Sequence, residues 1–177
     1  MSSRIRCGGV LLAIFLLASL GCKHPTVHVQ QTEEELPTLA SSIDMGDPAL
    51  AAQLAAGFYT IEMNRWRWTA RQFAVVLRPP SGAPVKGATL EFQFSVPQAS
   101  IEKLKSLSLS ASINGATLGG ETWRQPGDYT YKRDVPPALL AGDTVRVDFE
   151  LDKAMTPGGE DMRELGVVAT AARLVSK

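Results

Sequence analysis

The stretch LEFQFSV, residues 90–96, sets Leu90, Phe92, Phe94 and Val96 against Glu91, Gln93 and Ser95 in strict alternation. Successive side chains of a strand point to opposite faces, so this pattern describes a strand with one buried and one wet face. The pattern recurs twice. Leu107, Leu109, Ala111 and Ile113 alternate with Ser106, Ser108, Ser110 and Ser112, and Val145, Val147, Phe149 and Leu151 alternate with Arg146, Asp148, Glu150 and Asp152. Weaker strand patterns cover 58–63, 66–69, 73–78, 117–123, 128–133 and 165–175. Asn114-Gly115 between two of them is a hairpin signal, because both residues tolerate positive φ. Pro79-Pro80, Pro126-Gly127, Pro136-Pro137 and Pro157-Gly158-Gly159 punctuate the remainder. Ahead of the strands, Asp47 suits an N-cap, Pro48 the first helical position and Gly57 a C-terminal stop, which predicts one helix of about two turns over 49–56. Residues 47–177 are therefore expected to form an all-β, antiparallel, jelly-roll-like sandwich with one short N-terminal helix.

The region before it reads differently. Arg4 and Arg6 precede an unbroken apolar run, VLLAIFLL at 10–17, and small residues then lead to Gly21-Cys22. Eight apolar residues are too few to span a bilayer, which needs about 20, but they fit a secretory signal. The ending ASLGC resembles the lipobox of bacterial lipoproteins, although Ser19 and Leu20 stand where that pattern usually shows Leu and a small residue. An ordinary signal peptide or an uncleaved anchor are the alternatives. The resemblance implies that 1–21 is removed and that Cys22 is acylated, anchoring the protein in a membrane. Lys23 after it implies the outer membrane. Residues 22–46 carry Pro25, Pro37 and Glu33-Glu34-Glu35 without an apolar period, the pattern of a flexible tether. His24 and His28 lie there, and Pro25 disfavours the helix that would bring them together over a metal.

Composition narrows the chemistry. Eighteen basic residues oppose eighteen acidic ones, so there is no field to draw nucleic acid. Beyond Cys22 the sequence has no cysteine, and beyond His28 no histidine. That removes Ser-His-Asp and Cys-His catalysis, thiol chemistry and the usual zinc ligands. No phosphate-binding glycine motif is present, and nothing calls for a cofactor. Paired carboxylates suited to glycoside hydrolysis would have to come from Glu62, Glu121, Glu160, Asp161 and Glu164. Acids on strand faces and loops are ordinarily solvated charges, so the chain is not expected to be an enzyme.

The aromatic residues are the better candidates for binding. NRWRWTARQF, residues 64–73, sets Trp66 and Trp68 on one strand face and Arg65, Arg67 and Thr69 on the other. Trp123 precedes the Pro126-Gly127 turn, and Tyr129 and Tyr131 share a face beyond it. Flat rings stack on the C–H faces of sugars, and equally fill sandwich cores. Same-face spacing makes Trp66 and Trp68 expected core residues, whereas Trp123 suits either role. GFYTIEMNRWRWTARQFAVVLRPP, GDYTYKRDVP and DMRELGVV resemble a small β-sandwich domain of environmental, notably acidobacterial, bacteria. It is found in lipoproteins and appended to glycosyltransferases and surface-polysaccharide proteins. The shared marks are Trp66-Arg67-Trp68-Thr69 and Arg163-Glu164-Leu165-Gly166. The resemblance implies association with glycans or the cell envelope.

The expected function is a lipid-anchored domain that binds a cell-surface glycan through Trp123, Trp66, Arg67, Trp68, Tyr129, Arg163 and Glu164. The alternative is an assembly lipoprotein that holds an envelope protein by a sheet edge or face. Cys22→Ser, expressed in a host that processes lipoproteins, is expected to lose the acyl mass and leave the membrane fraction. Unchanged mass and partitioning would contradict acylation.

Overall fold

The computed structural model describes residues 39–159 and 161–177. The signal segment, Cys22, His24, His28 and Glu160 lie outside the described residues. Nine strands follow in order: β1 (Ser42–Asp44), β2 (Leu54–Phe58), β3 (Arg67–Leu77), β4 (Ala88–Val96), β5 (Leu107–Ile113), β6 (Ala116–Trp123), β7 (Gly127–Val135), β8 (Val145–Leu151) and β9 (Val168–Ser176). All pairings are antiparallel. The strands run β6-β5-β8-β3-β9-β4-β7, with β2 beside β3 and β1 beside β9. The domain is an all-β antiparallel sandwich of the jelly-roll kind, as the alternation requires.

Strand β3 belongs to both layers. Arg67 and Trp68 pair with Ala169 and Val168 of β9, while Gln72 through Leu77 pair with β8. The sequence pattern suggests two strands, at 66–69 and 73–78. One eleven-residue strand is found instead, because Ala70 and Arg71 lie where the chain leaves one layer for the other and alternation lapses. Between the layers Phe73, Phe92 and Phe149 pack with ring centroids 4.8–5.3 Å apart. Tyr131, Leu90, Leu109 and Val147 are also fully buried.

The helix over 49–56 is corrected. Asp47 caps as expected, its carboxylate accepting from the Ala49 N–H at 2.8 Å, but the segment is a 3-10 helix that ends at Gln53. Leu54–Phe58 then joins the sheet. Gly57 does not stop the helix; it sits in β2 at φ +71° with its Cα against the β3 backbone. A Cβ there would collide with the Gln72 carbonyl and lie 2.7 Å from the Phe73 Cα, so the strand pairing demands glycine. Two short α-helices were not expected, α1 (Ala83–Lys86) and α2 (Gln98–Leu104). Both are too short for a helical period to show. Among the described residues no helix is long and apolar enough to cross a membrane.

Order also begins before Asp47. β1 extends the edge of β9, with Ser42 opposite Arg173 and Asp44 opposite Ala171. Ile43 and Met45 are buried in the core. The buried Gln53 amide pins the chain just upstream, exchanging hydrogen bonds with both backbone groups of Ala40 and donating to the Val76 carbonyl. The expected tether thus gives way to structure within 39–46. A three-residue strand offers too few alternations to be recognised. Burying Ile43 and Met45 contributes about 1.5–3 kcal/mol each. A chain starting at Asp47 is therefore expected to unfold at a clearly lower urea midpoint than one starting at residue 39. Equal midpoints would contradict the role of β1.

Candidate functional site

Alternation that buries one face of the β9-β4-β7 layer leaves the other to build a groove. Phe92 and Phe94 of β4 point inward, so Gln93 and Ser95 point out. Tyr131 of β7 points inward, leaving Asp128 and Thr130 outside. Thr170 and Ala171 of β9 and Asp44 of β1 complete the floor. The groove measures about 730 Å³, and its side wall is Asn64, Arg65 and Trp66. The floor is polar and internally ordered. The Ser95 hydroxyl donates to the Asp128 carboxylate, and the Thr170 hydroxyl donates to the Gln93 carbonyl at 3.1 Å. Asp44 accepts the Gly46 N–H at 2.8 Å. One row further along the same face, Glu91 lies between Lys132 and Arg173, each 2.7 Å away. Their hydrogen bonds, Lys132 first, lower the Glu91 pKa.

The wall is a tight hairpin. The Glu62 N–H donates to the Trp66 carbonyl at 2.9 Å, and the Trp66 N–H returns the bond at 3.3 Å. Its tip holds Met63 at φ +49° and Asn64 at φ +53°. Asn visits that region readily, but an unbranched apolar residue there costs about 1–2 kcal/mol. Such conformations persist only where the surroundings enforce them. Here enforcement comes from residues 161–164. Arg163 Nη1 donates to Glu62 Oε1 at 2.8 Å, and Arg163 Nε and Nη2 grip Asp161. The guanidinium lies 5.3 Å from the Tyr59 ring centroid. The Tyr59 hydroxyl donates to the Glu164 carbonyl at 2.9 Å.

The structure separates the residues that the sequence groups together. Trp66 is half-buried and lines the groove; Trp68 is also half-buried and outward-facing but lies outside the lining. Both were expected in the core, with Arg67 and Thr69 outside, and the faces are reversed. Arg67 and Thr69 are buried. Arg67 finds carbonyl partners inside, donating to Met45 and Tyr59 at 3.1 Å each. Trp123, only 7 % exposed, packs edge-on to Phe94 with centroids 5.0 Å apart. It is a packing residue. Tyr129 rests on Trp123 and borders the groove, its hydroxyl donating to the Gln125 carbonyl. Arg163 and Glu164 lie outside the groove lining. Glu164 accepts the Arg71 N–H at 3.0 Å.

Of the carboxylates considered for hydrolysis, Glu62 and Asp161 are both engaged by Arg163, while Glu121 pairs with Arg133. Among the described residues no cluster of three or more His, Cys, Asp or Glu is placed to hold a metal ion. The floor residues Asp44, Gln93, Ser95, Asp128, Thr130 and Thr170 were not singled out from sequence. For Gln93 and Ser95 the signal was present, since both are the wet positions of the opening stretch.

No protein-family profile and no curated protein sequence matches the chain. Solved structures similar to it include the catalytic domain with CBM51 domains of ZmpB from Clostridium perfringens, at 12 % identity and TM-score 0.38. That match covers 77 % of this chain and 13 % of the other. An acetyl xylan esterase from Butyrivibrio proteoclasticus matches at 9 % identity and TM-score 0.37, over 77 % of this chain and 33 % of the esterase. A CBM4 structure matches at 11 % identity and TM-score 0.34, over 81 % and 90 % of the two chains. The chain thus spans a third or less of the first two. Likenesses this distant say nothing of ligand or activity.

Arg163 holds the Asp161 carboxyl at about 2, below its usual 3.8, chiefly by side-chain hydrogen bonding. Because the folded value is the lower one, the contribution of this contact is complete above about pH 4 and fades as pH falls through about 2. An NMR titration of Asp161 is expected to show that low midpoint, and Arg163→Ala to return it toward 3.8. A midpoint near 3.8 in the wild type would contradict the contact.

Proposed function

We propose that the domain binds a cell-surface glycan without cleaving it, in the groove on the outer face of β9-β4-β7, and that an acylated Cys22 anchors it in the outer membrane of its host. The supporting observation is one aromatic wall, Trp66, standing over a floor of hydroxyls, amides and carboxylates. A sugar ring presents an apolar C–H face and a rim of hydroxyls. An indole takes the first, and Gln93, Asp128, Thr130 and Asp44 take the second. Shallow polar grooves bind weakly, because ordering and desolvation offset much of the contact energy.

The β6 edge weighs against capture of a protein strand there. The outer edge of β6 is covered by side chains of β7. The Tyr131 hydroxyl bonds the Gly119 carbonyl, and Arg133 donates to the Gly120 carbonyl at 2.6 Å and to Glu121 at 3.1 Å. Natural sheets blunt their edges against added strands in this way.

Trp66→Ala is expected to weaken binding to a bacterial-surface glycan on the order of 10- to 30-fold, as loss of a central aromatic contact does. The melting temperature should change little. Trp123→Ala is expected instead to destabilise the fold by about 3–5 kcal/mol. Calorimetry and thermal melts separate the two, and the glycan should be recovered uncut after incubation. Equal affinity in wild type and Trp66→Ala, or no binding across a panel of envelope polysaccharides, would overturn the assignment.

A further inference from the structure

Two arginines that the sequence offers as ligand groups are both turned toward the hairpin that carries Trp66. Arg67 reaches it from inside. The residue is 9 % exposed, and its guanidinium donates to the carbonyl of Tyr59 at the base of the hairpin and to that of Met45 just past β1. Arg163 reaches it from outside. Its guanidinium bonds Glu62, the residue whose backbone closes the hairpin onto Trp66. Asp161 grips the remaining edge of the fork through both carboxylate oxygens, at 2.8–3.3 Å. That grip fixes the direction in which Nη1 points. Tyr59 lies under the guanidinium and is itself tied to the Glu164 carbonyl.

The hairpin needs such support. It carries two successive left-handed residues at its tip, and Met63 there is 79 % exposed, so packing does little to hold it. The segment that provides the support is itself anchored. The Gly166 N–H donates to the Thr69 carbonyl at 2.7 Å, and a Cβ on Gly166 would lie 2.6 Å from the Leu151 and Thr69 side chains. The sequence Arg163-Glu164-Leu165-Gly166 therefore brings a fixed cation against the wall of the groove.

We propose that Arg163, seconded by Arg67, is a positioning residue that holds the Trp66 wall in its binding position before the ligand arrives. A wall fixed in advance loses less freedom on binding. The inference rests on the glycan reading for affinity alone; the rigidity of the hairpin is measurable without any ligand.

The test uses the full-length protein in four forms: wild type, Arg163→Ala, Arg163→Lys and Glu62→Gln. Amide hydrogen exchange of Glu62 and Trp66 is expected to quicken severalfold in Arg163→Ala. Exchange in β4 and β8 should stay unchanged, which separates local loosening from global destabilisation. Affinity for a glycan bound by the wild type should fall about three- to tenfold, in keeping with lost preorganisation. Arg163→Lys, a point charge in place of a fork, should fall between, and Glu62→Gln, which removes the hairpin's half of the ion pair, should quicken exchange of the same amides. Unchanged exchange at Glu62 and Trp66 would overturn the proposal, as would quickened exchange with undiminished affinity. If the wild type binds no glycan, the functional reading fails, and quickened local exchange still establishes Arg163 as the support of the hairpin.

Discussion

One strand has to serve two sheets. β3 gives its first residues to β9 and its last six to β8, so the position of either layer fixes the other. At the crossing the chain cannot satisfy its neighbours by a regular ladder alone, and side chains complete the pairing. Thr69 is fully buried; its hydroxyl accepts the Val167 N–H, and its backbone bonds both Val167 and Gly166. Arg67 is buried beside it and bonds two carbonyls. Burying a cation costs several kcal/mol unless its donors are met. Carbonyls of Met45, just past β1, and of Tyr59, in the β2–β3 connection, meet two of them here, so both segments are tied to the strand that joins the layers. The groove, its wall and the β1 edge all depend on this junction.

The opposite seam of the sandwich is closed by different means. β6 and β7 stand at the two ends of the strand order and are bridged by the Tyr131 hydroxyl and the Arg133 fork. Arg133 also lies 4.3 Å from the Tyr131 ring centroid. Desolvation raises the Tyr131 phenol above its ordinary pKa, and its hydroxyl donates to the Gly119 carbonyl. The fold is thus a nearly closed sheet with one ladder replaced by side chains.

Much of this was legible in the sequence, and the failures have physical causes. LEFQFSV, the serine ladder before Ile113 and the Asn114-Gly115 turn (φ +50° and +79°) fold as their patterns require. Parity placed Trp66 and Trp68 together but could not say which side was inside. Arginine is rarely buried and tryptophan often is, so the ordinary preference pointed the wrong way. The deciding fact was two carbonyls, of Met45 and Tyr59, waiting for the Arg67 donors. Trp123 alternates with polar neighbours on an edge strand, and only the arrival of Phe94 and Tyr129 makes its site a core. The groove floor draws one or two residues from each of four strands, a juxtaposition that no local window contains.

The direction of β1 has a mechanical consequence. The strand runs from the end of the sandwich marked by Arg78 and Leu174, which bond Ala40 and Ser41, toward Thr170, which bonds Met45. A load applied at residue 39 and directed out of that end acts along the strand axis, in shear. The bonds of β1 to β9 and the three bonds of Gln53 then share the load, where a perpendicular pull would open them one after another. A pull along that axis therefore meets the domain in its stronger direction, and the first strand serves as the buckle of the strap.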